Sequence, residues 1–256
     1  MRLNHITSEE ISTPSCILNP EDVRGKIHHR DTGGMVDGPG IRYVVFMQGC
    51  PLRCLYCHNP GSQSEGGEEW TAKDLVKEIV KYKNFLSGGV TFSGGEPLLQ
   101  HEFIYACAQL LKKHGISIAI DTAGIPQPEL AGKAIDSAEL LLLDIKAHSD
   151  ELALALTGCD NSRGFATLEY CEKTGKDVWL RHVLLMGYTL EENALKTLAK
   201  RLKPYTCIKR VELLPFHKMG ETKWAGMDYK LTDTPATTKA QQEWAAKIFA
   251  RYGLVE

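Results

Sequence analysis

The chain has 256 residues, 43% hydrophobic and 24% charged, which suits one large globular domain with a full core or at most two small ones. A net charge of -2 argues against broad nucleic-acid binding, which needs a concentrated basic face to displace counterions. No apolar stretch approaches the roughly 20 residues needed to cross a bilayer. The polar, mixed-charge start lacks the apolar core of a signal peptide, so a cytoplasmic protein without membrane contact is expected.

Residues 1–24 show no periodicity, contain Pro14 and Pro20, and read as a loose arm ahead of a single domain over residues 25–256. A first β-run, 41–47, leads into a loop holding Cys50, Cys54 and Cys57. Thr71 then opens a helix with Asp74 three positions on as a partial capping box. Leu75, Val76, Ile79, Val80 and Tyr82 follow at helical spacing. Gly88-Gly89 punctuates before a short strand at 90–92. A helix over 101–113 ends at Gly115, and a strand over 116–120 follows. A helix at 127–137 precedes the apolar run 140–145, which has the character of a buried parallel strand. A helix at 163–174 ends at Gly175 and gives way to a strand at 178–185. The helix 191–202 stops before Pro204, the strand 211–214 stops before Pro215, and a helix over 237–252 closes the chain.

Strand–helix alternation of this kind demands a parallel sheet with right-handed crossovers. Six such units fall short of the eight of a closed barrel, leaving an open (βα)6 barrel or a doubly wound sheet. An open, partial TIM-like (βα)6 barrel is the expected α/β fold.

Eight cysteines in a chain without an export signal point to metal or redox work rather than disulfides. Cys107 and Cys171 lie in apolar-periodic helical stretches and read as small core residues, while Cys16, Cys159 and Cys207 are isolated. Cys50, Cys54 and Cys57 stand out, because three thiolates so close in sequence can converge on one cubane or one metal ion. Zinc, with His58 as fourth ligand, is the competing reading. A zinc knuckle, however, staples a module without its own core, whereas this loop hangs from a large α/β domain. Two-electron thiol chemistry would need no third cysteine. With the strands as assigned, Glu96, Asp121, Thr122, Asp144, Lys146, Arg181, His182 and His217 fall at or near strand C-terminal ends, where parallel barrels gather their active sites.

The C-x3-C-x2-C spacing, with Tyr56 before the last cysteine, resembles the cluster loop of the radical S-adenosylmethionine (SAM) enzymes, and Ser93–Pro97 (SGGEP) resembles their GGE motif. VDGPGIR (Val36–Arg42), QGCPLRCLYCHNP (Gln48–Pro60), TFSGGEPLLQ (Thr91–Gln100), IDTAG (Ile120–Gly124), LLDIK (Leu142–Lys146) and ELLPFHKMGETKW (Glu212–Trp224) follow in order. From about residue 25 onward they resemble the branch that activates glycyl-radical enzymes.

That resemblance implies a [4Fe–4S] cluster on Cys50, Cys54 and Cys57, whose fourth iron is chelated by SAM. It places Tyr56, Cys57 and His58 beside the cluster and the SAM adenine, and Gly94, Gly95 and Glu96 near the SAM amino group. Asp144, Ile145, Lys146, Arg181 and His217 would help to hold SAM. Asp121, Thr122 and Asp144 would coordinate a monovalent cation, Na+ or K+, and Asp37 would contact the glycine loop of a protein substrate. The implied reaction is reductive cleavage of SAM to a 5′-deoxyadenosyl radical, which takes a hydrogen from a glycine Cα of the partner. The implied partners are pyruvate formate-lyase as substrate and a flavodoxin or ferredoxin as electron donor, with the chain itself a monomer. No cysteine lies between His58 and Val90, so the additional ferredoxin-type clusters of several other activases are absent, which favours pyruvate formate-lyase. Two alternatives stay open: another glycyl-radical enzyme, such as a 2-ketobutyrate-type formate-lyase, as target, or a non-catalytic zinc or electron-transfer protein.

Overall fold

Alternating apolar runs and amphipathic stretches produce a single sheet in the computed structural model, which describes residues 19–224 and 231–254. Its strands are β1 (Arg24–Gly34), β2 (Arg42–Met47), β3 (Glu68–Thr71), β4 (Gly89–Gly94), β5 (Ile118–Thr122), β6 (Leu140–Asp144), β7 (Val178–Leu184) and β8 (Ile208–Pro215). They are ordered β3-β1-β2-β4-β5-β6-β7-β8. From β2 to β8 every pairing is parallel, whereas β1 runs antiparallel to both β2 and β3. The helices are α1 (Ala72–Val80), α2 (His101–Lys112), α3 (Pro128–Ser137), α4 (Asp150–Thr157), α5 (Ser162–Thr174), α6 (Glu192–Leu202) and α7 (Lys239–Ala250). The parallel strands follow one another in chain order without the reversal that a doubly wound sheet requires. The sheet is therefore the open, partial (βα)6 barrel.

Side-chain alternation divides the two faces. Ile118, Ile120, Leu141, Leu143, Val178, Leu180, Val211 and Leu213 join the main core with the helices. Ala119, Leu140, Leu142 and Trp179 form a small separate cluster on the opposite, concave face. Thr91, Ser93, Asp121, Asp144, Arg181 and Glu212 share that second parity, and of these Ser93, Asp121, Asp144 and Arg181 reach the cavity at the barrel mouth. Asp144, Arg181 and Glu212 stand in one row across β6, β7 and β8.

Three elements escape the sequence reading. β1 has a single apolar side chain, Ile27, and β3 is a four-residue, largely polar strand, so neither carries the apolar alternation that marks a strand. Helix α4 is short but conventionally built: the Ser149 side chain caps Leu152 N, and Gly158 closes it at φ 74°. Within the stretch read as an arm, Pro20–Asp22 form a 3-10 turn capped by Asn19. Pro14 and Cys16 lie outside the described residues.

Candidate active site

The three cysteines follow β2 on a loop that main-chain bonds pin from several sides. Arg53 N and Leu55 N donate to Thr157 O at 2.7 Å and Leu156 O at 2.9 Å, the carbonyls left open at the end of α4. Gly49 N donates to Ser62 O at 2.7 Å, and Trp224 Nε1 donates to Cys57 O at 3.0 Å. Cys54 is buried, while Cys50 and Cys57 are half-buried. Burial pushes the thiols of Cys50 and Cys54 up to about 12 and raises that of Cys57. Without a metal these groups stay protonated, and a bound metal would hold them as thiolates. Among the described residues, no three His, Cys, Asp or Glu side chains are already grouped around a single metal-ion position. Cys107, Cys171 and Cys207 are core residues, as expected of the first two, and Cys159 sits beside the cluster loop with Sγ 4.0 Å from Pro51 O.

Beside the cysteines opens a cavity of about 460 Å³, lined from the ends of β4 to β8. Its lining combines Cys50, Cys54, Tyr56, Cys57 and His58 of the cysteine loop with Gly94, Gly95, Asp121, Thr122, Asp144, Lys146, Arg181 and His217 from the later strand ends, and it includes Asp37. Gly95 N donates to Met47 O at 3.0 Å and Glu96 N to Gly49 O at 2.8 Å, locking the end of β4 onto the cluster loop. A Cβ at Gly94 (φ 113°) would come within 2.7 Å of Met47 O, and one at Gly95 within 2.8 Å of the Gly49 carbonyl carbon. Glycine is what lets this backbone come so close and line the cavity.

Glu96 is fully buried. Its carboxylate accepts from Leu98 N at 3.1 Å, Ala123 N at 2.8 Å and the Thr122 hydroxyl, so it ties β4 to β5. Burial pushes its carboxyl up to about 7 against those bonds. Asp121 accepts from Ser93 Oγ at 2.7 Å and pairs with Arg181 Nη1 at 3.3 Å; burial raises its carboxyl while the guanidinium opposes the shift. Arg181 also holds Glu212 through Nε at 2.9 Å and donates to Val36 O. Asp144 Oδ2 pairs with Lys146 Nζ at 2.8 Å, and Lys146 Nζ lies 6.0 Å from the Tyr56 ring centre. Burial works against the Lys146 charge, but Asp144 prevails and raises its pKa. The rings of His58 and His217 stack at 4.2 Å and 11°.

Asp144 Oδ1, Tyr56 Oη and His217 Nδ1 are buried without a hydrogen-bond partner, and all belong to residues lining the cavity. Buried polar atoms are ordinarily satisfied, so these three are candidates for bonds to a polar ligand. A SAM molecule offers the matching groups: an ammonium for carboxylate and glycine carbonyls, and ribose and adenine edges for His217 and Tyr56.

The structure thus gathers nearly all the expected site residues at one cavity. The exceptions are Ile145, whose side chain packs in the core while its carbonyl accepts from His182 Nδ1 at 2.7 Å, and Glu96, which acts behind the wall. The expected cation trio does not form a preassembled site: the Thr122 hydroxyl is engaged by Glu96, Asp121 by Arg181 and Asp144 by Lys146. Sequence reasoning missed Ser93, Val36 and the α4 carbonyls. Main-chain partners leave no side-chain signature, although Ser93 sits inside a motif already singled out.

Residues 44–198 match the model of the Radical SAM superfamily. Over 239 residues, 90% of this chain and 97% of the relative, the sequence is 36% identical to the pyruvate formate-lyase 1-activating enzyme of Escherichia coli strain K12. It is 42% identical over 228 residues, 86% of this chain and 95% of the relative, to the pyruvate formate-lyase-activating enzyme of Clostridium pasteurianum. The crystal structure of a domain of a pyruvate formate-lyase-activating enzyme from Bacteroides vulgatus superimposes with a TM-score of 0.57 at 25% identity, covering 66% of this chain and 97% of that one. A radical SAM methyltransferase from Sphaerobacter thermophilus gives a TM-score of 0.62 at 17% identity over 84% and 65% of the two chains, a likeness of fold alone. With the cysteine loop, the glycine cradle and the open barrel in agreement, the chain belongs to the radical SAM superfamily and, within it, to the family of the pyruvate formate-lyase-activating enzymes.

Proposed function

We propose that this chain, acting as a monomer with residues 25–256 as one catalytic unit, installs a glycyl radical on pyruvate formate-lyase under anaerobic conditions. The cofactors of the family are a [4Fe–4S] cluster and SAM; when bound, they supply one electron and the 5′-deoxyadenosyl radical that takes a hydrogen atom from a glycine Cα. A flavodoxin or ferredoxin serves as the one-electron donor. Among the described residues, no helix is long and apolar enough to cross a membrane.

The chain's own residues bind, orient and exclude water. Cys50, Cys54 and Cys57 ligate three irons. Gly94, Gly95 and Asp144 Oδ1 receive the SAM ammonium, Lys146 Nζ balances its carboxylate, and His58, His217 and Tyr56 hold the nucleoside. Asp121, Thr122 and Asp144 are the groups that would be available to a monovalent cation, Na+ or K+. Asp37 meets the backbone of the protein substrate. The cavity would shelter a primary carbon radical from competing reactions.

The observation that carries this reading is that three residues with unpartnered buried polar atoms, Tyr56, Asp144 and His217, line the same cavity as the three cysteines. The test is anaerobic reconstitution followed by reduction with SAM and pyruvate formate-lyase. About four irons per chain, 5′-deoxyadenosine, methionine and a glycyl-radical EPR signal are expected. SAM cleavage without that signal, but with one on another glycyl-radical enzyme, would reassign the partner. Stoichiometric zinc without cluster absorbance would refute the chemistry.

A further inference from the structure

Arg42 is among the largest fully buried side chains, 1% exposed, and among the described residues it takes part in no ion pair. An arginine in such a place must satisfy its donors with neutral oxygens. Arg42 Nε donates to Thr91 Oγ1 at 2.6 Å, Nη2 to Val90 O at 2.6 Å, and Nη1 to Pro39 O at 3.2 Å and to Gly88 O. Thr91 Oγ1, itself fully buried, donates onward to Asp37 O at 2.6 Å.

The two ends of the loop that carries Asp37 are thus fastened to β4 through one guanidinium and one hydroxyl. The loop has the backbone such a clamp needs: Gly38 and Gly40 have φ of 113° and 75°. It also lies so close to the start of β4 that a Cβ on Gly40 would come within 2.8 Å of Gly88 N. Asp37 reaches the cavity, whereas Arg42 and Thr91 do not line it.

We propose that Arg42 and Thr91 are positioning residues that hold the 37–40 loop in the shape that offers Asp37 to the protein substrate, and so set affinity for that substrate without touching SAM or the cluster. This rests on the functional reading above, and it adds residues that act from behind the loop. A lysine at 42 carries the charge but lacks the planar fork that reaches Thr91, Val90 and Pro39 together. A valine at 91 keeps the shape but breaks the link to Asp37 O, whereas a serine preserves it.

The reconstituted holoenzyme is compared with Thr91→Val, Thr91→Ser and Arg42→Lys. Thr91→Val and Arg42→Lys should raise the KM for pyruvate formate-lyase about tenfold while SAM cleavage without protein substrate stays within about twofold. Thr91→Ser should restore the wild-type KM. Amide hydrogen exchange over residues 37–41 should quicken in Thr91→Val and not in Thr91→Ser. An unchanged KM overturns the proposal, as does an equal loss of SAM cleavage and activation, which would mark Thr91 as mere support for the fold. If the wild type leaves pyruvate formate-lyase without a glycyl radical, the functional reading falls; the exchange measurement then judges the clamp, and unchanged exchange in Thr91→Val overturns it.

Discussion

Gly95→Ala is the sharpest probe of the junction between the cluster loop and the SAM cradle. Gly95 has no need of a left-handed backbone, so the substitution acts through space alone. The added Cβ would stand 2.8 Å from the Gly49 carbonyl carbon and 3.2 Å from Cys50 Cβ. The first distance is roughly 0.7 Å short of the ~3.5 Å at which carbon atoms attract. The obstacle is main chain, so the cluster loop must retreat, stretching the Glu96 N to Gly49 O bond that joins the two halves of the site. Overpacking of this kind costs about 1–3 kcal/mol and the weakened hydrogen bond about 1 kcal/mol. Stability of the apo-protein in urea should therefore fall by about 2–4 kcal/mol. The effect on chemistry is larger, because a shift approaching 1 Å between reacting groups costs on the order of a hundredfold in rate. The assay is iron content and the rate of 5′-deoxyadenosine formation after anaerobic reconstitution. Gly115→Ala is the control: its φ is 65° with nothing within 4 Å of the added carbon, so it meets backbone strain of about 1–2 kcal/mol without touching the site. SAM cleavage by Gly95→Ala at the Gly115→Ala rate would refute the reasoning.

Other substitutions separate further parts of the account. Cys54→Ala should abolish iron binding, measured by iron assay and cluster absorbance, whereas Cys107→Ala, in the fully buried core, should retain the full complement. Asp37 has its carboxyl raised to about 6 by burial and by Asp121, so its favourable contribution to stability is full below 3.8 and lost as pH rises through 6. Asp37→Asn should stabilise the apo-protein at pH 7.5 by about 1 kcal/mol, less toward pH 4, while activation of the protein substrate falls and SAM cleavage persists. Burial holds the His182 imidazole down at about 4, so its stabilising contribution is full above 6.5 and lost as pH falls toward 4. That window spans about 3 kcal/mol, and His182→Gln should flatten the denaturation midpoint across it.

Much of the fold is legible in the sequence because parallel strands buried on both faces must be apolar runs, and Leu140–Asp144 is a clear case. β1 is illegible for the opposite reason: at the antiparallel side of the sheet, one face meets water and Arg24, Lys26, His28 and Arg30 break any run. The site is legible where function demands a particular side chain, as with the three cysteines, Asp144 and Lys146. It is illegible where the chain acts through carbonyls, as with Leu156 and Thr157 beneath the cluster loop, since any residue could supply them. Glu96 shows a third case. Its motif marks it as important, but only the structure reveals a carboxylate spent on Thr122 and Ala123 rather than on the cavity.

The charges around the cavity suit these residues to accept the cofactors as a set, as proposed above. Asp37, Asp121 and Asp144 line it against Lys146 and Arg181, a surplus of one carboxylate. SAM carries a sulfonium and an ammonium against a single carboxylate, so it brings the missing positive charge. Before loading, burial opposes ionisation throughout the site: it raises Asp37, Asp121 and all three thiols. Bound iron would hold the thiols deprotonated, and the positive charge of SAM would offset the carboxylates. Because the unpartnered Asp144 Oδ1 adjoins Lys146, a SAM amino acid moiety bound there would find an acceptor and a cation side by side. Loading should accordingly stabilise the folded chain in two steps, cluster first and SAM second, since binding to the native state alone raises stability with ligand concentration. A SAM-induced rise in melting temperature seen only in reconstituted protein is the signature of that order, and an equal rise in iron-free protein would contradict it.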